Sequence, residues 1–248
     1  MPINTEMNRR FRLPISLKLT TISVALLLVA TVPIAVTSSN YFESVSVKRE
    51  EDTNRDQART RATEVENLLT NYLDKARVVG DLLSQPASER PDSDPAFLSS
   101  FFRDGDFVAV DIYMRSENGH QLYRRIIKED YLTSHQLAPK YIESVREKKN
   151  KAYNFISAAF AGSIEVRNSS EVDGAPLITL AFPRGRSAEG EISHVVVADF
   201  RLDKLQAAFS KITEREIYLV DRDGILLAHS NDAWFFAGYS LAELEIVR

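Results

Sequence analysis

The sequence predicts an α+β protein held to a membrane near its N-terminus: a transmembrane helix and a long following helix, then a five-stranded antiparallel sheet flanked by helices. Three observations carry this. Eighteen residues from Leu19 to Val36 hold no charge, and an apolar stripe with 4-3 spacing follows between residues 58 and 83. Past Pro95 the apolar period switches from helical to extended and is punctuated by an Asn118-Gly119 turn.

At about 1.5 Å per residue the Leu19–Val36 run approaches the roughly 30 Å hydrocarbon core of a bilayer. Arg9, Arg10, Arg12 and Lys18 precede it against a single Glu6, so the first 18 residues carry +3 and the remainder −7. Basic residues are retained on the cytoplasmic side, which puts residues 1–18 inside as a basic tail, 19–37 across the bilayer, and all that follows outside, with the inner membrane as the location. A cleaved signal peptide also starts with basic residues. Its apolar region is usually shorter, about 7 to 15 residues, and Pro33-Ile34-Ala35 is a poor small-x-small cleavage site. Thr20, Thr21, Ser23 and Thr31 are tolerable in a span because hydroxyls bond back to their own helix.

Residues 38–86 read as a long extracytoplasmic helix. Ala58, Ala62, Val65, Leu69, Tyr72, Ala76, Val79 and Leu83 form a seam with a 3.5-residue period. Such a seam fits a coiled-coil homodimer or packing along the chain's own domain, and Leu68, Leu73 and Leu82 widen the stripe towards the second. Pro86, Pro91 and Pro95 stop the helix.

Phe107–Met114 and His120–Ile127 read as a hairpin, because Asn-Gly supplies the positive φ of a tight turn. Tyr131–Lys149 reads as a helix with Tyr141, Ile142 and Val145 inward. Ser163–Asn168, Pro176–Phe182 and His194–Phe200 complete five strands, and Leu202–Ile212 leads out as a helix. Helices on a five-stranded antiparallel sheet make an α+β unit of PAS-like element order.

Composition removes several functions. The 248 residues are 44% hydrophobic and 27% charged, with nine glycines and nine prolines, which excludes disordered and collagen-like classes. No cysteine is present, so disulfide scaffolds, Fe–S clusters and thiolate chemistry are out. Thirty-one basic against 35 acidic residues give −4, without the basic footprint of a nucleic-acid binder. His120, His135, His194 and His229 are isolated in sequence, which gives no local support for a metal site, and no P-loop, Gly-x-Ser-x-Gly or dinucleotide fingerprint occurs. Neither a cofactor nor a catalytic residue is expected in this chain. Asn168-Ser169-Ser170 matches a glycosylation sequon.

The element order, together with Leu177–Phe182, Val195–Phe200 ending in Val-Ala-Asp-Phe, and Ile217–His229 with its Val220-Asp221-Arg222-Asp223-Gly224 string, resembles an extracytoplasmic double Cache sensor domain over residues 40 to 248. The resemblance implies a membrane-distal PAS-like module over 87–212 and the start of a membrane-proximal one over 213–248. It also implies a ligand pocket over the distal sheet. In the amino-acid-binding branch of that family an Asp at the end of the strand before the exit helix holds the ligand amine, and Asp199 falls there. The same carboxylate is also placed to cap the helix near Leu202. The Arg-x-Trp-Tyr motif of that branch has no counterpart around Tyr153. The start of the chain is similar to that of bacterial membrane-bound adenylate cyclases, which suggests a cyclase as output.

Candidate ligand-binding residues are therefore Asp199, Asp111, Tyr113, Arg124 and Tyr153, and the expected partners are a small molecule, the membrane and a second copy through the long helix. Three functions stay open: a sensor of small molecules such as an amine or a carboxylate, an anchored interaction ectodomain whose pocket its own side chains fill, and an anchored extracellular enzyme whose site is assembled from residues distant in sequence.

Overall fold

The computed structural model describes residues 14–84, 105–117, 119–171, 174–187, 189–210, 217–231, 234 and 239–244. The three prolines expected to stop the long helix, the three basic-tail arginines, Asn118 and residues 245–248 lie outside the described residues.

Helix α1 (Ile15–Ser84) is 70 residues long and contributes to two compact units divided between Arg59 and Thr60. In the first unit its apolar run is exposed along its whole length, and it is the one helix among the described residues long and apolar enough to cross a membrane. Thr20, Thr21 and Thr31 donate to the carbonyls of Ser16, Leu17 and Leu27 at 2.8–2.9 Å, which satisfies each hydroxyl without leaving the helix.

The second unit is built on five antiparallel strands: β1 (Phe107–Ser116), β2 (Gly119–Ile127), β3 (Glu165–Asn168), β4 (Leu177–Arg186) and β5 (Ile192–Arg201). Their order is β2-β1-β5-β4-β3, the α+β, PAS-like arrangement expected from the sequence. Between β2 and β3 run α2 (Glu129–Ser134), α3 (Tyr141–Tyr153) and α4 (Phe155–Phe160). The single helix expected over 131–149 is thus two. Gln136 turns into the left-handed region at φ 58°, and Pro139, which has no N–H to give a continuing helix, stands in the connection.

One face of the sheet takes the C-terminal part of α1. Val65, Tyr72, Ala76, Val79 and Leu83 are buried in a core with Val110, Ile112, Leu180, Val196 and Phe200. Tyr72 stacks on Phe200 with centroids 4.3 Å apart, and α1 approaches β5 so closely at Gly80 that a Cβ there would lie 2.6 Å from Val196 Cγ2. From Val65 onward the seam is therefore buried on its own domain, while Ala58 and Ala62 are exposed. Lys75 of α1 also donates to Asp106 Oδ2 at 3.0 Å, and Lys204 contacts the other oxygen.

After β5, α5 (Asp203–Ser210) leads to a second, two-stranded sheet of β6 (Tyr218–Val220) and β7 (Leu226–His229). The Gln206 side-chain amide accepts from the His229 N–H at 3.2 Å and donates to the His229 carbonyl, so α5 completes one edge of β7. Leu226 and Ala228 join the α1-side core. Asn168 of the sequon is buried: it donates to the Leu226 carbonyl at 2.8 Å and accepts from the Ser170 N–H.

Candidate functional site: a buried charge network on the helix-covered sheet face

The other face of the sheet alternates with the first. Two ladders of directly opposed residues cross it. One runs Ile127, Ala109, Asp199, Thr179, Arg167 through β2, β1, β5, β4 and β3; the next runs Arg125, Asp111, Val197, Ala181, Glu165. Neighbouring strands thus set polar residues side by side on a face that α2, α3 and α4 cover.

Asp111 is fully buried and takes the fork of Arg125, Nε to Oδ1 and Nη2 to Oδ2, both at 2.8 Å. Such bidentate charge-assisted pairs are the strong ones. Asp199 accepts from the Thr179 hydroxyl at 2.6 Å, and Ser169 Oγ lies 2.6 Å from the same hydroxyl. Arg146 enters from α3. Its Nη2 donates to Asp199 Oδ2, and its Nη1 stands 3.3 Å from Asp111 Oδ2. The Tyr113 hydroxyl reaches Asp111 Oδ2 at 3.4 Å. Four charges, two of each sign, therefore meet, three of them buried and Arg125 half-buried at the edge. Replacing such a network by apolar side chains of like volume is often neutral or stabilising, so stability alone does not account for it.

Burial pushes the Tyr113 phenol up to about 12, so it stays protonated and donates. Burial likewise raises Asp199, against the pull of Arg146 and the Thr179 hydroxyl. Arg125 is raised by its hydrogen bonds to Asp111 and keeps its charge.

Of the five residues singled out from the sequence, Asp199, Asp111 and Tyr113 come together. Asp199 does not cap a helix: α5 begins at Asp203, and the two Asp199 oxygens are engaged by Thr179 of β4 and Arg146 of α3. Arg124 stands opposite Ile112 and shares that residue's α1-facing side, because a bulge between Ile112 and Tyr113 shifts the register by one. Arg125 takes the place beside Asp111 that an unbroken hairpin gives Arg124. Tyr153, at the end of α3, lies under a different arginine, with the Arg167 guanidinium 5.2 Å from its ring centroid. Arg146 and Thr179 were not singled out. Arg146 follows Ile142 by four residues and so shares its inward face, and the spacing of that helix is the signal that finds it.

Arg167 forms a second buried centre. It donates to Glu165 at 2.8 Å and to Asp221 at 3.1 Å and also contacts Asp223, while Arg222 reaches back to Glu165 at 3.2 Å. Asp221 Oδ1 accepts from the Asp223 and Ile225 N–H groups at 2.9 Å, which folds the β6–β7 turn around its own carboxylate. The Asp-Arg-Asp-Gly string is therefore a clamp onto β3 as well as a turn. A cleft of about 320 Å³ lined by Arg115, His120, Ser157 and Phe160 opens at the far end of the β1–β2 hairpin.

No family model matches the chain, and no curated protein matches its sequence. Among solved structures, the ligand-binding domain of the Pseudomonas aeruginosa amino-acid chemoreceptor PctC, in complex with GABA, is 16% identical, with 74% of this chain and 75% of that one covered and a TM-score of 0.45. The ligand-binding domain of the Pseudomonas fluorescens chemoreceptor CtaA, with L-isoleucine, is also 16% identical, covering 74% and 69% at a TM-score of 0.42. That of the Campylobacter jejuni chemoreceptor Tlp3, with L-norvaline, is 15% identical, covering 74% and 70% at 0.40.

Proposed function

We propose that this chain is the extracytoplasmic sensing part of a single-pass membrane protein of bacterial signal transduction, and that a charged small molecule binds in the distal module at Asp111 and Asp199. The observation that carries this is the meeting of two buried carboxylates, a buried phenol and a hydroxyl on one sheet face, beneath the helices that cover it. Buried titratable groups perturbed by desolvation and a specific charge partner are functional-site candidates. The apolar N-terminal run supplies the anchor, and the charge bias across it supports an inside N-terminus with the bulk outside. We read the second hairpin as the start of a proximal Cache module, a second copy as the partner of the exposed part of α1, and a cyclase as the output, on the sequence resemblances alone.

The test is thermal unfolding of the full chain in detergent against a panel of amine and carboxylate metabolites. A ligand at about 100 times its Kd adds about 2.7 kcal/mol, which is roughly 5–11 °C in Tm for a domain of this size. The shift should vanish in Asp199→Asn. A panel without a responder, or a response that ignores both Asp111 and Asp199, refutes the assignment. A second reading, an interaction ectodomain without a small-molecule ligand, is favoured by one observation: Arg146 already fills the space between the carboxylates. It predicts that a protein partner co-purifies with the solubilised chain and that no metabolite shifts its unfolding.

A further inference from the structure

Among the described residues of the first unit, α1 carries two aromatic side chains, Tyr41 and Phe42, which are 67% and 69% exposed. The rings are neighbours on the helix and meet edge to face, with centroids 6.4 Å apart. Single exposed apolar residues are ordinary on a protein surface. On the membrane anchor proposed above, however, the place of this pair along α1 says what covers it.

The first charge after Lys18 is Glu43, so α1 runs without a charge for 24 residues, from Leu19 to Phe42. At about 1.5 Å per residue this is about 36 Å, more than the roughly 30 Å of a hydrocarbon core. A tilt of roughly 34° would keep the whole run in hydrocarbon, within the range that spanning helices adopt. An upright helix would instead pass its last turn into the headgroups. Ser38-Ser39-Asn40 decides between the two. Serine hydroxyls can return to their own helix, but the two N–H donors and the carbonyl of an asparagine amide go unmet among acyl chains. The hydrocarbon therefore ends near Thr37, whose hydroxyl still bonds back to the Pro33 and Ile34 carbonyls. Tyr41 then stands about 6 Å past that boundary, at headgroup level.

Side chains on a helix lean towards its N-terminus, and in α1 that direction is the membrane. Both rings thus reach back over the turn of Thr37 and Ser38, where an aromatic body meets acyl chains and a phenol hydroxyl stays wet. We propose that Tyr41 and Phe42 form a lipid-contact collar that seats α1 at the outer face of the bilayer and holds the Ser38–Asn40 turn among the headgroups. Lys18 and Tyr41 lie about 35 Å apart along the helix and bracket the hydrocarbon from its two sides.

The chain has no cysteine, so a single introduced one carries a nitroxide at a chosen depth and leaves the collar intact. The full chain carrying Leu28→Cys, Asn40→Cys or Val47→Cys is reconstituted in phosphatidylcholine vesicles with an aqueous nickel chelate on both sides, and collisions of the label with the chelate are measured. The label at 40 should meet nickel at least about fivefold less often than that at 47 and more often than that at 28. Adding Tyr41→Ser and Phe42→Ser removes the apolar reason for that turn to stay in the headgroups, so nickel access at 40 should rise to the level at 47. A label at 40 as accessible as that at 47 with the collar intact, or unchanged by the two serines, overturns the proposal. So does a label at 40 as sheltered as that at 28, which would put the whole run in hydrocarbon, or shelter that disappears on dilution with lipid, which would mean that a second copy covers the rings. In a chain that resists extraction by alkaline carbonate these outcomes overturn the collar alone; a chain that carbonate releases refutes the anchor and the collar together.

Discussion

Arg125→Met tests the register on which the site depends. Asp111 is fully buried and takes two 2.8 Å bonds from Arg125, so the substitution leaves an ionised carboxylate with Arg146 at 3.3 Å and the Tyr113 hydroxyl at 3.4 Å. Removing one partner of a buried pair costs about 3–5 kcal/mol, and the surviving neighbours put this case at the lower end, about 3 kcal/mol. In a unit of this size that is a fall of roughly 6–12 °C in Tm. Adding Asp111→Asn takes away the stranded charge, so the two substitutions should couple by about 2 kcal/mol in a double-mutant cycle. The same cycle on Arg124 and Asp111, which stand on opposite faces, should give less than about 0.5 kcal/mol. Urea unfolding with an unchanged m-value measures each corner. Coupling of Asp111 to Arg124 instead of Arg125 refutes the bulge and, with it, the placement of the charge network.

The remaining predictions probe the supports of the site. The Lys75 and Lys204 ammonium groups hold the Asp106 carboxyl below its usual range although burial alone would raise it, so its stabilising contribution is present above the unfolded pKa of 3.8 and is lost as pH falls through the lower folded value. Asp106→Asn should therefore lower stability at pH 7 and converge with wild type in strong acid, which urea titrations against pH measure; a constant gap refutes the pairing. Gly80→Ala sets a methyl 2.6 Å from a buried Val196 carbon, and overpacking of about 1–3 kcal/mol outweighs the gain of about 1 kcal/mol in helix propensity; Val196→Ala should reverse the sign of the effect. Arg167→Met unclamps the β6–β7 turn and should speed hydrogen exchange at the Asp223 and Ile225 amides relative to those of β4; equal protection in variant and wild type shows that the clamp is idle.

The fold was legible because its periods are clean. Leu177–Phe182 and Val195–Phe200 are apolar runs broken only by Thr179 and Asp199, as strands covered on both sides require, and the 4-3 spacing of Val65 to Leu83 marks the face that α1 lays on the sheet. The site was legible in part. Asp199 and Asp111 stood out as carboxylates embedded in apolar strands. Arg125 was missed for Arg124 because a one-residue bulge leaves no mark in a period-two pattern, and it flips every later side chain to the other face. Arg146 was missed for another reason. In a helix as polar as α3 an arginine reads as solvated surface, and only the four-residue step from Ile142 separates it from Lys148, which is exposed. The Arg167 clamp joins residues more than fifty positions apart, and no local pattern carries such a contact.

The two faces of the sheet divide the work of the molecule. On the α1 side Val110, Ile112, Leu180, Phe182, Val196 and Phe200 pack with apolar residues of α1, α5 and β7, a surface whose burial scales with area. On the other side α3 holds the sheet through Arg146 at its second turn and, seven residues on, through Tyr153 under Arg167. Each of these contacts involves one arginine, Arg146 or Arg167, whose partners are few and directional, and they stand beside the apolar packing of Ile142 on Val108, Ala109 and Leu177.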